Sequence, residues 1–590
     1  MDWQTWLTLA VIAGVLVVLS RDLVAPAAAF VGAIVVLLVA GVITPDQAFA
    51  GFSNPAPITV AALYVLARAV EKTGALQPMV SATLGNRGGV RSALARMVVP
   101  TAVGSAFLNN TPIVAMLVPQ VKDWAERRGL SASYFLMPLS FAAILGGMVT
   151  LIGTSTNLLV SGLLEAAGEP PLGMFELTPA GLPIAAIGLV VIVVLAPWLI
   201  SERRSPREQA LADAREFMVR MQVVPGGPLD GKEVEEGGLR HLQGVFLVEV
   251  ERDGDLVAPV APNMVLRGGD QLIFVGRADT VVDLQSTRGL VSSEETHLSD
   301  FDSPHHTFFE AVVGEASLLV GRTLREADFR SRYQGAVVAV HRAGGRIKEK
   351  LGQVELKVGD TLLLIADGRF RDRWRDRNDF LLVSRLGGSP PAISRKAWIV
   401  GVVGAGIVFG AGFGLMPILH LSLVGALALV AFRVLSPGEA KAAVDLDVIL
   451  VIASAFGLAA ALESSGLAHG AARAVELTLG SFGPTGVLTG LVFVTIMLTA
   501  IVTNNAAAAM MFPIGLSAAA DLEIPVRTVA IALAIASSAS FLTPIAYQTN
   551  LMVYGPGGYR FGDYARLGVP LVLVVLVGLM VLVPLFWPIA

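Results

Sequence analysis

The chain has 590 residues, 54% of them apolar and only 15% charged, with a formal net charge of −4 and no cysteine. That apolar share excludes an ordinary soluble protein of this length. The small negative charge excludes a general affinity for nucleic acid, and the lack of cysteine excludes disulfides, thiolate chemistry and cysteine-ligated metals.

A helix needs roughly 20 apolar residues to cross a bilayer core. Apolar runs predict spans near 5–20, 23–43, 56–74, 131–163 and 179–200. The first run lacks a basic n-region and a small-x-small cleavage site, so it reads as a retained span, not a signal peptide. The stretch 92–121 is apolar but cut by Asn109-Asn110-Thr111-Pro112, which predicts a re-entrant hairpin of two half-length helices. The fourth span is interrupted at Gly153–Asn157.

Residues 201–395 hold most of the charge and alternate with period two between turn signals, the pattern of strands. Val245–Val250 reads as a strand, and Leu272–Val275 as another, introduced by Arg267-Gly268-Gly269-Asp270. About 90 residues later Ala336–Val340, Lys357-Val358-Gly359-Asp360 and Leu362–Ile365 repeat this order. The insert is therefore expected to hold two small α/β domains, 207–290 and 306–388, joined by a polar link near Ser292–His306. They lie between a first membrane block, 1–204, and a second, 395–590. The second block predicts spans near 396–416, 418–435, 446–464, 526–554 and 565–588, with a hairpin at 485–519 and a break around Pro544–Asn550. The Gly404–Gly410 string lies inside a span and is not followed by a βαβ unit, so it reads as a packing feature and not a dinucleotide loop.

The two blocks share short polar motifs about 395 positions apart. Asn109-Asn110-Thr111 with Pro119 is answered by Thr503-Asn504-Asn505 with Pro513. Gly153-Thr154-Ser155-Thr156-Asn157 is answered by Thr543-Pro544 and Thr549-Asn550. Glu71 and Gly74 match Glu463 and Gly466. Five spans and one hairpin per block, with an insert that need not cross, predict two inverted repeats. Basic residues fall on one side: Arg21, Arg68, Lys72, Arg87, Arg91, Arg96, Lys122, Arg127, Arg128, Arg203, Arg204, Arg395, Lys396, Arg433, Lys441, Arg560 and Arg566. Only Arg473 and Arg527 fall on the other. By the positive-inside rule both termini are outside and the insert is cytoplasmic, in a cell (inner or plasma) membrane.

Matched polar breaks in two membrane halves point to a transporter binding site. No Lys, Arg, Asp or Glu lies in 97–121 or 485–520. Freed N–H groups at half-helix starts favour an anion, and Asn, Thr, Ser and carbonyl oxygens favour Na+ over a proton, which needs a titratable carrier. The expected substrate and Na+ site is Asn109, Asn110, Thr111, Gly153, Thr154, Ser155, Thr156, Asn157, Thr503, Asn504, Asn505, Thr543, Pro544, Thr549 and Asn550. Na+ is expected at Asn110, Asn157, Asn505 and Asn550. Glu71 and Glu463, near span ends, read as structural. No nucleophile–base or metal constellation suggests an enzyme, and no cofactor is expected beyond the coupling ion.

The strings FLNNTPIVAMLVP, GTSTNLLVSGLL, VTNNAAAAMMFPIG and TPIAYQTNLMVYGPGGY resemble the divalent anion:sodium symporters, carriers of sulfate, dicarboxylates and citrate. The resemblance covers both membrane blocks. That family's Ser-Asn-Thr tips correspond to Asn109-Asn110-Thr111 and Thr503-Asn504-Asn505, each with one departure. The insert copies resemble the C-terminal domain of potassium-uptake regulators, the TrkA-C type, without its nucleotide-binding half; such domains dimerise and some bind small ligands. Together the resemblances imply an elevator-type homodimer in the lipid membrane. It would couple Na+ to a small divalent anion, sulfate first and a dicarboxylate or citrate second. An Na+/H+ antiporter, an arsenite exporter and a ligand-gated channel are the more distant readings.

Overall fold

The computed structural model describes residues 2–21, 24–76, 89–203, 218–239, 245–252, 255–257, 260–276, 289–292, 307–314, 317–342, 345–347, 351–366, 370–374, 379–385 and 393–589. The expected link at Ser292–His306 and Arg87 and Arg204 lie almost wholly outside them.

The first membrane block starts with helices Trp3–Ser20, Pro26–Val39, Pro45–Ser53 and Pro55–Thr73. Pro45–Ser53 is set by Thr44, whose hydroxyl accepts from the Gln47 backbone while the Gln47 side chain accepts from the Thr44 N–H. Reciprocal capping of this kind satisfies N–H groups that a helix start leaves free. Ser436-Pro437 and Glu439 repeat the device at helix Pro437–Ala443 in the second block. The capping pair Thr44/Gln47 and its copy Ser436/Glu439 went unread in the sequence, though both spacings are there.

The hairpin is Val90–Phe107 and Asn110–Arg127, broken at Leu108, whose backbone is extended. It packs tightly on Ser133–Gly147. A Cβ added at Gly146 would lie 2.1 Å from the Ala102 carbonyl oxygen, so the backbones touch directly. Such contact replaces the hydrophobic drive that a lipid environment lacks. Ser133–Gly147 and Ser155–Ala166 form the broken span, followed by Thr178–Leu199.

The second block runs Ala397–Gly412, Ile418–Ala431, Pro437–Ala443, Leu446–Ser464, Leu467–Leu479, Gly483–Thr499, Asn504–Asp521, Val526–Ser537, Gln548–Tyr554 and Phe561–Phe586. Each expected span and hairpin has a helical counterpart here. Leu467–Leu479 was not expected as a separate helix. Gly74 and Gly466 both adopt positive φ at the ends of matching helices, the conformation that glycine reaches without strain, which explains why both recur. Five helical stretches among the described residues are long and apolar enough to cross a membrane: Pro45–Thr73, Thr178–Leu199, Leu446–Ser464, Leu467–Thr499 and Phe561–Phe586.

The insert holds two five-stranded antiparallel sheets. In the first, β1 (Met218–Val223), β2 (Val245–Arg252), β3 (Asp255–Val257), β4 (Gln271–Gly276) and β5 (Leu290–Ser292) lie in the order β3-β2-β4-β1-β5. In the second, β6 (Thr307–Val313), β7 (Gly335–Arg342), β8 (Gly345–Arg346), β9 (Thr361–Ala366) and β10 (Phe380–Arg385) lie in the order β10-β6-β9-β7-β8, the same topology read backwards. The Gly-Asp turns have one job in both. Asp270 accepts from Arg252 at 2.8 and 2.7 Å and from the Arg267 N–H. Asp360 accepts from Arg342 at 2.7 Å twice and from the Lys357 N–H. Gly269 and Gly359 supply the positive φ that the turn requires.

Candidate functional site

The two hairpin tips and the two broken spans meet one another. In the first cluster, Asn110 contacts the Ser105 hydroxyl and lies 3.1 Å from the Tyr547 hydroxyl. Its amide can be turned two ways. Turned one way, its nitrogen donates to the Ala143 and Gly153 carbonyls at 3.0 and 3.3 Å; turned the other, three oxygens face one another. Asn157 donates to the carbonyls of Gly147 and Thr150 at 3.1 and 2.9 Å. Asn157 is fully buried, and its side-chain oxygen finds no donor among the described residues.

The second cluster repeats the frame. Asn504 accepts from Thr499 at 2.9 Å and from Ser540. Asn550 donates to the carbonyls of Ser540 and Thr543 at 2.7 and 3.3 Å. Thr150 and Thr543 each donate to a carbonyl at the end of a hairpin's first helix, Ala106 and Ala500 respectively. The second cluster is closed where the first is open, because Ser140 of the first block donates to Asn550 Oδ1 at 2.7 Å and lies 2.9 Å from the Thr549 hydroxyl.

Each tip also reaches the other block. Thr156 donates to Asn505 at 3.1 Å, and Asn505 donates to Ser155 at 3.3 Å. Thr111 donates to Gln548 at 3.4 Å. These contacts pair Asn110 with Asn504 and Thr111 with Asn505. Asn504 thus takes the cluster position in the second block, while Asn505, the residue expected to hold Na+ there, reaches Ser155 and Thr156 at the cavity.

That cavity has a volume of about 360 Å³. Asn109, Thr111, Ser155, Thr156, Thr503, Asn504 and Asn505 line it, together with Tyr64, Arg68, Tyr547 and Gln548. Asn157, Thr549 and Asn550, all fully buried, lie outside its lining, as do Gly153, Thr154, Thr543 and Pro544. The first turns of the helices starting at Asn110, Ser155 and Asn504 open onto this space. Unpaired N–H groups at helix starts attract anions.

Charge does reach the cavity, from the segment 439–447 and from the helix that carries Glu71, a residue expected to be structural that here lines the cavity. Arg68 lines it, bonded to Glu71 at 2.8 Å, and so do Glu439, Asp445 and Asp447. The tips are uncharged as expected, yet titratable groups stand on the opposite wall. Sequence reading also missed Ser105, Thr499, Ser140, Ser540, Tyr64, Tyr547 and Gln548. For Ser105 and Thr499 a signal exists, since each is a hydroxyl residue five positions before a cluster Asn.

Apolar spanning helices, broken helices meeting in pairs and a polar cavity at their junction define an integral membrane transporter. The chain belongs to the divalent anion:sodium symporters and matches the citrate transporter family over residues 14–536 and 483–589. An uncharacterized transporter of Synechocystis sp. is 33% identical, over 99% of this chain and 98% of its own. Sodium/sulfate cotransporter 1 of Chlamydomonas reinhardtii is 26% identical, over 97% of this chain and 88% of its own. An uncharacterized transporter of Escherichia coli is 28% identical, over 99% and 98%.

Proposed function

We propose that this protein couples Na+ to the uptake of a divalent oxyanion, with sulfate as first substrate. The observation that carries the reading is the cavity where three helix starts converge beside an open oxygen cluster. Helix N-termini and the hydroxyls of Thr111, Ser155 and Thr156 suit a compact anion that only accepts hydrogen bonds. Arg68 on the far wall is paired with Glu71 and stands with Glu439, Asp445 and Asp447, so the anion contacts of this reading come from the helix starts and hydroxyls and not from that wall.

For the coupling ion, the donor set fits. The buried Asn157 Oδ1, which has no donor among the described residues, is the oxygen best placed for a small hard cation, and Asn110 joins it when its amide turns away from the orientation in which its nitrogen donates to the Ala143 and Gly153 carbonyls. The first cluster is the better candidate, because Asn157 Oδ1 has no donor among the described residues whereas Ser140 donates to the matching oxygen of Asn550. This favours a main Na+ site at Asn110 and Asn157 over equal sites in both halves.

The recurrence of one hydrogen-bond scheme in both blocks supports reading them as inverted repeats, with the tips and broken spans moving together as an elevator. The shared strand order of the two sheets supports the comparison with tandem TrkA-C domains. Relatives named sodium/sulfate cotransporters favour sulfate, while the family description favours citrate or a dicarboxylate as the second reading. Uptake of labelled sulfate and succinate into proteoliposomes under Na+ or H+ gradients decides among them. Sulfate uptake driven by Na+ alone supports the first reading. Succinate uptake that excess sulfate leaves unchanged replaces it with the second, and uptake driven only by H+ removes sodium from either.

A further inference from the structure

The second insert domain is docked on the helices that carry the motifs. Lys122, on the helix that begins at Asn110, pairs with Glu310 of β6 at 2.5 Å, and their side chains are 3% and 1% exposed. The Gly-Asp turn of the same domain abuts the helix that begins at Gln548. A Cβ added at Gly359 would lie 3.2 Å from Leu551, and one added at Gly555 would collide with Thr361. Val312 of β6 and Leu381 of β10 pack into the apolar core of the membrane helices. Phe380 and Leu381 line the cavity itself.

Among the described residues, the apolar core of the membrane helices takes in side chains of the second domain and none of the first. The first carries Arg220 at the register position of Glu310: Arg220 pairs with Ile273 as Glu310 pairs with Leu363. An arginine there has the wrong sign for Lys122. The chain leaving the docked domain bonds from Ser394 N–H to the Thr73 carbonyl, at the end of the helix that forms the cavity's far wall. Phe380 and Leu381 line the same cavity as the far-wall residues Arg68 and Glu71.

We propose that the second insert domain is an autoinhibitory clamp. It holds the helices Asn110–Arg127 and Gln548–Tyr554 against the far wall and narrows the cavity mouth with Phe380 and Leu381. Transport then requires its release. Breaking one partner of a buried ion pair leaves an uncompensated charge and favours undocking. The proposal uses the carrier reading in one respect, that the motif helices move.

The test exploits the absence of cysteine, since Thr361→Cys with Gly555→Cys supplies the only two thiols. The Cβ built at 555 lies 2.9 Å from Thr361 Cβ, and a small retreat reaches the ~3.8 Å of a disulfide. The oxidised pair should stop uptake in proteoliposomes, and reductant should restore it. Glu310→Ala should raise the maximal uptake rate several-fold with KM unchanged. It should also speed hydrogen exchange in 110–127 and 548–554. Lys122→Met with Glu310→Met, which replaces the pair by apolar contact, should keep the wild-type rate. Wild-type uptake by the oxidised pair, or slower uptake by monodisperse Glu310→Ala, would overturn the clamp. Exchange needs no substrate, so it separates the two ideas. Unchanged exchange in Glu310→Ala defeats the clamp whatever is carried. Faster exchange in a protein that takes up neither anion leaves the clamp standing and defeats the substrate assignment.

Discussion

Ser540 donates its hydroxyl to Asn504, and Gly147 occupies the corresponding place beside Asn110, with no hydroxyl to give. The Asn157 and Asn550 amides mark the correspondence by donating to the carbonyls of Gly147 and Ser540. A Cβ at Gly147 would sit 2.7 Å from Asn110 Oδ1. The missing CH₂OH group at Gly147 is thus one of two differences between the clusters, the other being the Ser140 hydroxyl that reaches Asn550 and has no counterpart at Asn157 among the described residues. Gly147→Ser is expected to crowd Asn110 and occupy its oxygen. Its apparent Na+ affinity should fall by about tenfold or more, the effect of losing roughly 1.4 kcal/mol of ligation. Sodium titration of the initial uptake rate reads this directly.

The two cluster asparagines and the cavity-facing Asn505 should behave differently. Asn110→Ala removes a cluster oxygen and is expected to abolish Na+-driven uptake while the protein still elutes as a folded species. Asn504→Ala strips acceptors from the Thr499 and Ser540 hydroxyls, which are buried, and should lower thermal stability by about 1–3 kcal/mol. Asn505→Ala leaves both clusters intact but removes contacts to Ser155 and Thr156, so its main effect should be on KM for the anion. Equal sodium and anion defects in all three variants would contradict this division.

In the insert, Asp360 is 1% exposed and holds both Arg342 and the Lys357 N–H. Asp360→Asn keeps the shape but loses the charge opposite Arg342, whose side chain is 33% exposed. Partial solvation of the arginine moderates the cost to about 2 kcal/mol. Faster proteolysis within 307–385, with the membrane block protected, is the expected readout.

A second charge pair gives a pH signature. Lys72, lying within 2.6 Å, and the Ser436 N–H together hold the Glu439 carboxyl down at about 2, against an ordinary value of 4.5. A carboxylate depressed in the folded state stabilises most above its unfolded value and loses that effect as pH falls through its folded one. The Tm gap between wild type and Glu439→Gln should be constant above pH 4.5 and close toward pH 2. The side chain is 34% exposed, so salt should shrink the gap throughout. A gap that widened on acidification would show that Lys72 is not its cause.

Spans, breaks and duplications were legible in the sequence because they follow from composition and local spacing. An apolar run of sufficient length becomes a membrane helix, and Asn109-Asn110-Thr111 or Pro544–Asn550 interrupts one wherever it falls. The tandem sheets showed themselves through period-two alternation and the Gly-Asp turns. Tertiary structure alone decided which residues meet across hundreds of positions. Asn504 and Asn505 are neighbours in the chain, yet helical rotation of ~100° per residue turns one into a buried cluster and the other onto the cavity. Spacing could not reveal that Arg68 and Tyr64 stand opposite the motifs, that Ser140 satisfies Asn550, or that Lys122 is neutralised by Glu310 of the insert. Those facts depend on the packing of separate helices and on the direction of single hydroxyls and charges, which no periodicity in the sequence encodes.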